Sequence, residues 1–206
     1  IYLKDYQVPN FLVDKVELTF KLSEEKTHVL AKIFFRANSE ATDSKFSLDG
    51  IDLDLQWAKI DGERIYPTIS STGLSFNVSK KEFVWECEVI INPKNNTALE
   101  GLYISNGMYC TQCEAEGFRK ITYYPDRPDV MAEFFVRIEG NKDTLLSNGN
   151  PTAQGKGWIE WHDPWPKPSY LFALVAGNLI SVSDTFKTNS GRNVELNICL
   201  LYTSPS

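Results

Sequence analysis

The feature that most constrains this chain is a strict alternation of apolar and polar side chains. In residues 16–22 the first, third, fifth and seventh positions are apolar, and the three between them are polar. Successive side chains of a strand point to opposite faces, so this run predicts a β-strand with one face in the core and one in water. No window of the chain sustains the 3.6-residue spacing of a helix over three turns.

The same alternation recurs between turn signals along most of the chain. Further strands are predicted over 29–36, 46–60, 82–91, 134–138, 157–161, 170–176 and 193–200. Turns are predicted at Asp61-Gly62, near Gly73 and at Asn148-Gly149. The predicted fold class is therefore all-β, with a large twisted antiparallel sheet or β-sandwich-like saddle and little helix.

The alternation breaks in two proline-containing stretches, 117–129 and 163–168. Proline fixes φ and lacks a backbone donor, so both stretches are predicted to be stiff loops. Loops held by a rigid sheet are common positions for functional residues.

Charge and composition limit the kinds of partner that this chain is expected to bind. The chain has 21 Lys and Arg against 27 Asp and Glu, without a basic cluster, so no nucleic-acid partner is expected. No stretch approaches the roughly 20 apolar residues of a membrane-spanning helix, so no membrane partner is expected. The four cysteines are too few and scattered for a disulfide framework, and the first residues lack a signal-peptide pattern, so a cytoplasmic location is predicted.

The metal-ligating residue types are sparse. The chain has two histidines, His28 and His162, and no H-E-x-x-H motif. Cys110 and Cys113 form a C-x-x-C pair, but a structural zinc site needs a second pair at a regular spacing. In an extended run, residues three apart also point to opposite faces. Metal or redox chemistry at this pair is therefore a minor alternative.

Three polar residues follow each other at alternate positions of the same segment. In an extended chain Gln112, Glu114 and Glu116 would be neighbours on one face, which could hold a cation. The residue types equally fit a solvated strand edge, since carboxylates are mostly exposed, and this reading is favoured from the residues alone.

Several long strings carry a resemblance to a known family. They are CTQCEAEGFR at 110–119, ITYY at 121–124, DRPDV at 126–130, LLSNGN at 145–150 and PWPKPSYLFALVAG at 164–177. The chain closely resembles the N-terminal region of bacterial aminopeptidase N, a family of gluzincin zinc metallopeptidases, over roughly residues 6–197.

The resemblance implies an N-terminal β domain that precedes a thermolysin-like catalytic domain of the same polypeptide. That missing domain would be the partner of this one, and it would hold zinc through H-E-x-x-H and a later glutamate. Because this chain has no such motif, no catalytic residue, metal ligand or cofactor is assigned to it, and it is expected to be inactive alone.

The resemblance also implies a role for two residues. The family's Gln-x-Glu element, whose glutamate helps anchor the free α-ammonium of the substrate, matches Gln112-Cys113-Glu114. Glu114 is thus the expected anchor for a peptide N-terminus, and Gln112 an additional acceptor or lining contact. Cys113 is expected in the core, and Glu116 in a structural or solvated role.

The likeness to the family stops near Asn197. The expected domain is 1–197, and 198–206 is expected to be a tail foreign to the family, from a truncation, a read-through or a cloning scar. Cys199 therefore receives no functional role.

The alternative function is a carbohydrate-binding or adhesion β-sandwich module. Trp161, Trp165 and Tyr170 are close to a proline-rich stretch and could form an aromatic platform. The competing expectation is that Trp158 and Trp161 pack in the core while Trp165 lies at a domain seam.

Overall fold

A computed structural model of the chain describes residues 2–41 and 45–201, and most of them lie in β-strands. Helical structure within these ranges consists of short 3-10 turns at Leu3–Asp5, Phe118–Lys120 and Ser169–Leu171. The all-β prediction is confirmed. The strands, in chain order, are β1 (Phe11–Lys21), β2 (Thr27–Ala37), β3 (Phe46–Asp49), β4 (Asp54–Ile60), β5 (Glu63–Ile65), β6 (Thr68–Ser70), β7 (Gly73–Phe76), β8 (Glu82–Ile91), β9 (Gly101–Ser105), β10 (Met108–Gln112), β11 (Met131–Glu139), β12 (Thr144–Ser147), β13 (Asn150–Gly155), β14 (Trp158–Pro168), β15 (Leu174–Gly177), β16 (Ile180–Lys187) and β17 (Asn193–Leu200).

The largest layer is an eight-stranded sheet in the order β13-β14-β11-β1-β2-β8-β4-β5. All neighbouring strands are antiparallel except β1 and β11, which run parallel with Val16 opposite Phe134. The predicted antiparallel sheet is thus a mixed sheet with one parallel pair. Alternation specifies the faces of a strand but not its direction or its neighbour.

The alternation places the core on one face of this sheet. Phe20 in β1 and Trp85 in β8 are fully buried, as the patterns of those strands predict. A three-stranded sheet, β3-β7-β6, covers one part of this face, where the rings of Phe46 and Phe83 lie 5.1 Å apart. Phe172, between Ser169–Leu171 and β15, stacks on Phe20 at 5.9 Å. β15 belongs to a four-stranded sheet, β12-β15-β10-β9.

The single strand predicted over 46–60 is wrong, because it is two strands in different sheets. At Gly50 a Cβ atom would lie 2.3 Å from the ring of Tyr123, and Asp52 has a positive φ of 57°. The chain therefore turns between β3 and β4 at a position that requires glycine. Because apolar and polar residues alternate on both sides of this turn, the sequence pattern did not indicate it.

Two predictions near the third 3-10 turn also need correction. The stretch 163–168 is the end of β14 rather than a loop. Its prolines are tolerated because β13 pairs with β14 only up to His162, and a register shift lies on the β11 side. The strand predicted over 170–176 begins only at Leu174, since the 3-10 turn occupies its first part.

Two further predictions are confirmed. The stretch 117–129 is a loop with one 3-10 turn, and the strand predicted over 193–200 is present as β17. Residues 198–200 of the expected tail extend β17, while 202–206 lie outside the described residues. Within the described ranges, no helix is long and apolar enough to cross a membrane.

Candidate functional site

The hairpin of β9 and β10 carries Gln112 to the start of an exposed turn. Its two strands are joined at Asn106-Gly107, where both residues have positive φ, as a tight hairpin turn requires. The register places Gln112 opposite Gly101 at the last pair of the ladder. The strand ends there, and residues 114–117 form a turn.

The prediction that Gln112, Glu114 and Glu116 share one face of an extended strand is wrong. Only Gln112 belongs to β10, and the two glutamates lie in the turn that follows it. All three residues are exposed. Their spacing is set by the turn and not by the pleat of a sheet.

Buried residues fix this turn at both ends. Cys113 is 3% exposed, and Phe118 is fully buried with its ring 5.0 Å from that of Tyr124. The amide of Gly117 donates to the Cys113 carbonyl at 2.8 Å. A Cβ atom at Gly117 would lie 2.3 Å from the Gln112 carbonyl oxygen, so this close approach requires glycine. The backbone at Glu114 is therefore held by well-packed neighbours.

Glu114 and Gln112 use different atoms in this turn. Gln112 Nε2 donates to the backbone carbonyl of Glu114 at 3.1 Å, so the Gln112 side chain supports the turn. The Glu114 carboxylate makes no hydrogen bond or ion pair with any residue in 2–41 or 45–201. It is an exposed, unpaired anion on a fixed backbone.

Glu116 differs from Glu114 in having a partner. Its carboxylate lies 3.4 Å from the guanidinium of Arg119, although the Glu116 side chain is 69% exposed. Arg119 in turn donates through Nε and its backbone amide to Asp126 Oδ2, at 3.2 and 3.1 Å. Glu116 is thus the exposed end of an internal polar network.

The centre of that network is the buried carboxylate of Asp126, whose side chain is 1% exposed. Ser169 Oγ donates to its second oxygen at 2.6 Å. The backbone amide of Asp126 donates to Asp49 Oδ2 at 3.0 Å, and burial raises the pKa of Asp49. Sequence reasoning missed this network, although Arg119 and Asp126 both lie in the loop that it selected.

An open cleft of about 1020 Å³ lies beside the turn, on the side of Glu116. Glu114 does not line this cleft. Glu114 is exposed, so the described residues do not give its carboxylate the shielding that selective ammonium binding needs. The residues of the network that line the cleft are Asp49, Glu116, Arg119 and Asp126.

Burial disfavours the reactive thiolate form of three of the four cysteines, Cys87, Cys110 and Cys113. Cys113 lies in the core, as predicted, and burial raises the pKa of both Cys110 and Cys113. Burial also raises the pKa of Cys87 to about 11. A thiol that retains its proton is a poor nucleophile and a poor metal ligand.

The described ranges contain no group of three or more His, Cys, Asp or Glu side chains that could hold a metal ion. The two histidines are paired separately with carboxylates. His28 Nδ1 lies 2.8 Å from Glu88, and His162 Nε2 contacts Glu133.

The aromatic residues near the proline-rich stretch differ in their exposure and in their contacts. Trp161 packs against the core and donates from Nε1 to the Leu145 carbonyl at 3.2 Å. Trp158 is half-buried, with the Arg137 guanidinium 3.9 Å from its ring, and Trp165 is 77% exposed. Of the three residues suggested for the platform, Trp161, Trp165 and Tyr170, only Trp165 is exposed, which is little basis for a carbohydrate platform.

Comparison with known proteins shows the family to which the chain belongs. Residues 10–171 match the Peptidase M1 N-terminal domain, and the chain belongs to that family. Among particular relatives, it is 44% identical to aminopeptidase N of Caulobacter vibrioides and to aminopeptidase N of Escherichia coli strain K12. Each of these matches covers 96% of this chain and 24% of the relative, so the chain spans about a quarter of their length.

Solved structures share the fold. Legionella pneumophila aminopeptidase A, solved with aspartic acid, matches with a TM-score of 0.87 and 30% identity over 96% of this chain and 25% of that protein. An M1 zinc metallopeptidase of Deinococcus radiodurans matches with a TM-score of 0.80 over 96% of this chain and 49% of its own. At 16% identity, the latter shows the fold alone.

Proposed function

We propose that this domain supplies the substrate-anchoring carboxylate of a zinc aminopeptidase that removes N-terminal residues from peptides. The observation that carries the proposal is the exposed, unpaired Glu114 carboxylate on a turn fixed by Cys113 and Phe118. The names of the relatives support the class of reaction.

Glu114 would bind the free α-ammonium of a peptide through a charge-assisted hydrogen bond. A peptide with a blocked amine would leave the carboxylate desolvated and unpaired, which costs more than the lost bond and gives selectivity. Gln112 would hold the turn that presents Glu114, since its side-chain amide is bonded to the Glu114 carbonyl. Its amide oxygen, which is not used in that bond, could accept from the same ammonium.

The rest of the enzyme would come from the same polypeptide. In such an enzyme, a bound zinc ion would supply the activation of water for peptide hydrolysis. The described residues of this chain do not fit a zinc site, so the metal and the groups that cut the peptide would belong to the missing catalytic domain. Docking of that domain at the exposed turn would supply the shielding that Glu114 lacks here. A domain spanning 1–197 and a cytoplasmic location stay predictions.

The test uses a fused enzyme in which residues 1–197 of this chain replace the aligned quarter of Escherichia coli aminopeptidase N. Glu114→Gln is expected to lower kcat/KM for free-amine peptides by about 10- to 150-fold, the loss expected for a hydrogen bond to a charged group. The matched variant Glu116→Gln should cost less than about fivefold, because an exposed ion pair contributes at most about 1 kcal/mol.

Equal losses in the two variants would contradict the anchoring role. The 206-residue chain alone is expected to show no turnover of aminoacyl anilides. Turnover by this chain that a chelator abolishes and zinc restores would contradict the assignment of catalysis to the missing domain.

A further inference from the structure

The ribbon formed by β16 and β17 has two chemically different faces. Residues directly opposite each other in an antiparallel pair share a face. On one face, seven of the eight side chains are apolar, and Asp184 is the exception. The cross-strand pairs of this apolar face are Ile180/Leu200, Val182/Ile198, Asp184/Leu196 and Phe186/Val194. The other face carries Ser181, Ser183, Thr185, Lys187, Asn193, Glu195, Asn197 and Cys199.

The apolar face of the ribbon is open to solvent. Val182, Phe186 and Ile198 are 60%, 57% and 66% exposed, and no residue of either strand is buried. Contiguous exposed apolar surface of this kind marks an interaction site. A two-stranded ribbon is also only marginally stable in water unless its apolar face packs against something.

The ribbon belongs to the architecture that this chain shares with a longer enzyme. The match to Legionella pneumophila aminopeptidase A leaves 4% of the chain uncovered, about eight residues, whereas the two strands together hold sixteen. At least half of the ribbon therefore lies inside that match. This chain spans only 25% of that protein, whose remaining polypeptide is therefore available there to cover the ribbon.

We propose that the apolar face of the β16–β17 ribbon is an internal docking surface, covered by the remainder of the polypeptide that carries this domain. The proposal rests on the proposed function only in naming the occupant. The alternating pattern of the ribbon is that of a half-buried strand pair whose cover is missing. Docking there would fix the domain to its partner.

The test compares amide hydrogen exchange of residues 180–187 and 193–197, which the 206-residue chain and the fused enzyme defined above share. Exchange in the ribbon is expected to be slower in the fused enzyme by about tenfold or more, because burial of apolar side chains opposes local opening. In the chain alone, the ribbon is expected to exchange rapidly at all protein concentrations.

The variant Val182→Thr/Leu196→Thr places hydroxyl groups on the apolar face, and threonine is a β-branched residue that favours strands. It is expected to remove most of the protection in the fused enzyme and to leave the chain alone unchanged. The matched control, Ser181→Thr/Ser183→Thr, changes the polar face and should leave both proteins unchanged.

Equal exchange of the ribbon in the two proteins would overturn the proposal. Protection that appears in the chain alone as its concentration rises, together with a dimer in sedimentation velocity, would assign the face to a second copy and also overturn it. The proposed function is tested separately: if the ribbon is protected while Glu114→Gln leaves kcat/KM unchanged, anchoring by Glu114 fails and the docking surface stands.

Discussion

The turn at residues 114–117 and the ribbon of β16 and β17 are both exposed, but they are held in opposite ways. The turn shows polar groups to water and is anchored by buried Cys113 and Phe118. The ribbon shows apolar groups to water and buries none of its residues. Exposure in the turn leaves the Glu114 carboxylate solvated and without a protein partner, whereas exposure in the ribbon indicates an apolar surface without its partner.

The largest effect expected from this contrast comes from substituting one phenylalanine in each region. Phe118→Ala should lower the free energy of unfolding by about 3–5 kcal/mol, because it removes a fully buried ring and leaves a cavity. Phe186→Ala, in the ribbon, should change it by no more than about 0.5 kcal/mol, because Phe186 is 57% exposed. Chemical denaturation of the 206-residue chain measures both, and equal costs would break the contrast.

A smaller effect is expected within the polar groups near the turn. Asp126→Ala should cost about 2–3 kcal/mol, because it leaves Arg119 and Ser169 without their buried acceptor. Glu114→Ala should cost less than about 0.5 kcal/mol, since its carboxylate is exposed and unpaired. Urea denaturation of the two variants tests this difference, and a large cost for Glu114→Ala would show that this carboxylate is structural.

The smallest effect concerns pH. A hydrogen bond from Arg127 lowers the pKa of Asp129 below its ordinary value near 3.8, so folding favours the ionised carboxylate. Its contribution is fully present above about pH 5 and is lost as the pH falls through the lowered pKa. Because the pair is partly exposed, Asp129→Asn should cost about 1 kcal/mol or less at pH 7, and still less at pH 2.5.

Urea midpoints at both pH values measure that change, and Phe186→Ala serves as a control because it removes no titratable group. A cost of Asp129→Asn that is the same at pH 7 and pH 2.5 would contradict the assigned stabilisation.

Sequence alone predicted the fold class and the buried face of strands such as β8, because an alternating run directly specifies which side chains face the core. It could not predict the parallel pairing of β1 and β11, which depends on neighbours more than 100 residues apart. It also placed no strand at 180–187, although β16 has the alternation.

The candidate site could be predicted only in part. Gln112 and Glu114 were selected through a resemblance, and their predicted extended geometry was wrong because alternation does not show where a strand ends. The alternation of polar and apolar residues over 112–116 is compatible with a turn as well as with a strand. The position of this turn depends on a tertiary contact, the packing of Phe118 against Tyr124 and Phe172, which the local sequence does not specify.

The most direct test of the central claim is a double-mutant cycle in the fused enzyme, with a peptide-like inhibitor prepared with and without its α-amino group. Removing that amino group should weaken inhibition of the unmodified enzyme by about 10- to 150-fold, and inhibition of the Glu114→Gln variant by less than about threefold. If the amino group contributes the same factor to inhibition of both enzymes, Glu114 does not bind it, and the account is wrong.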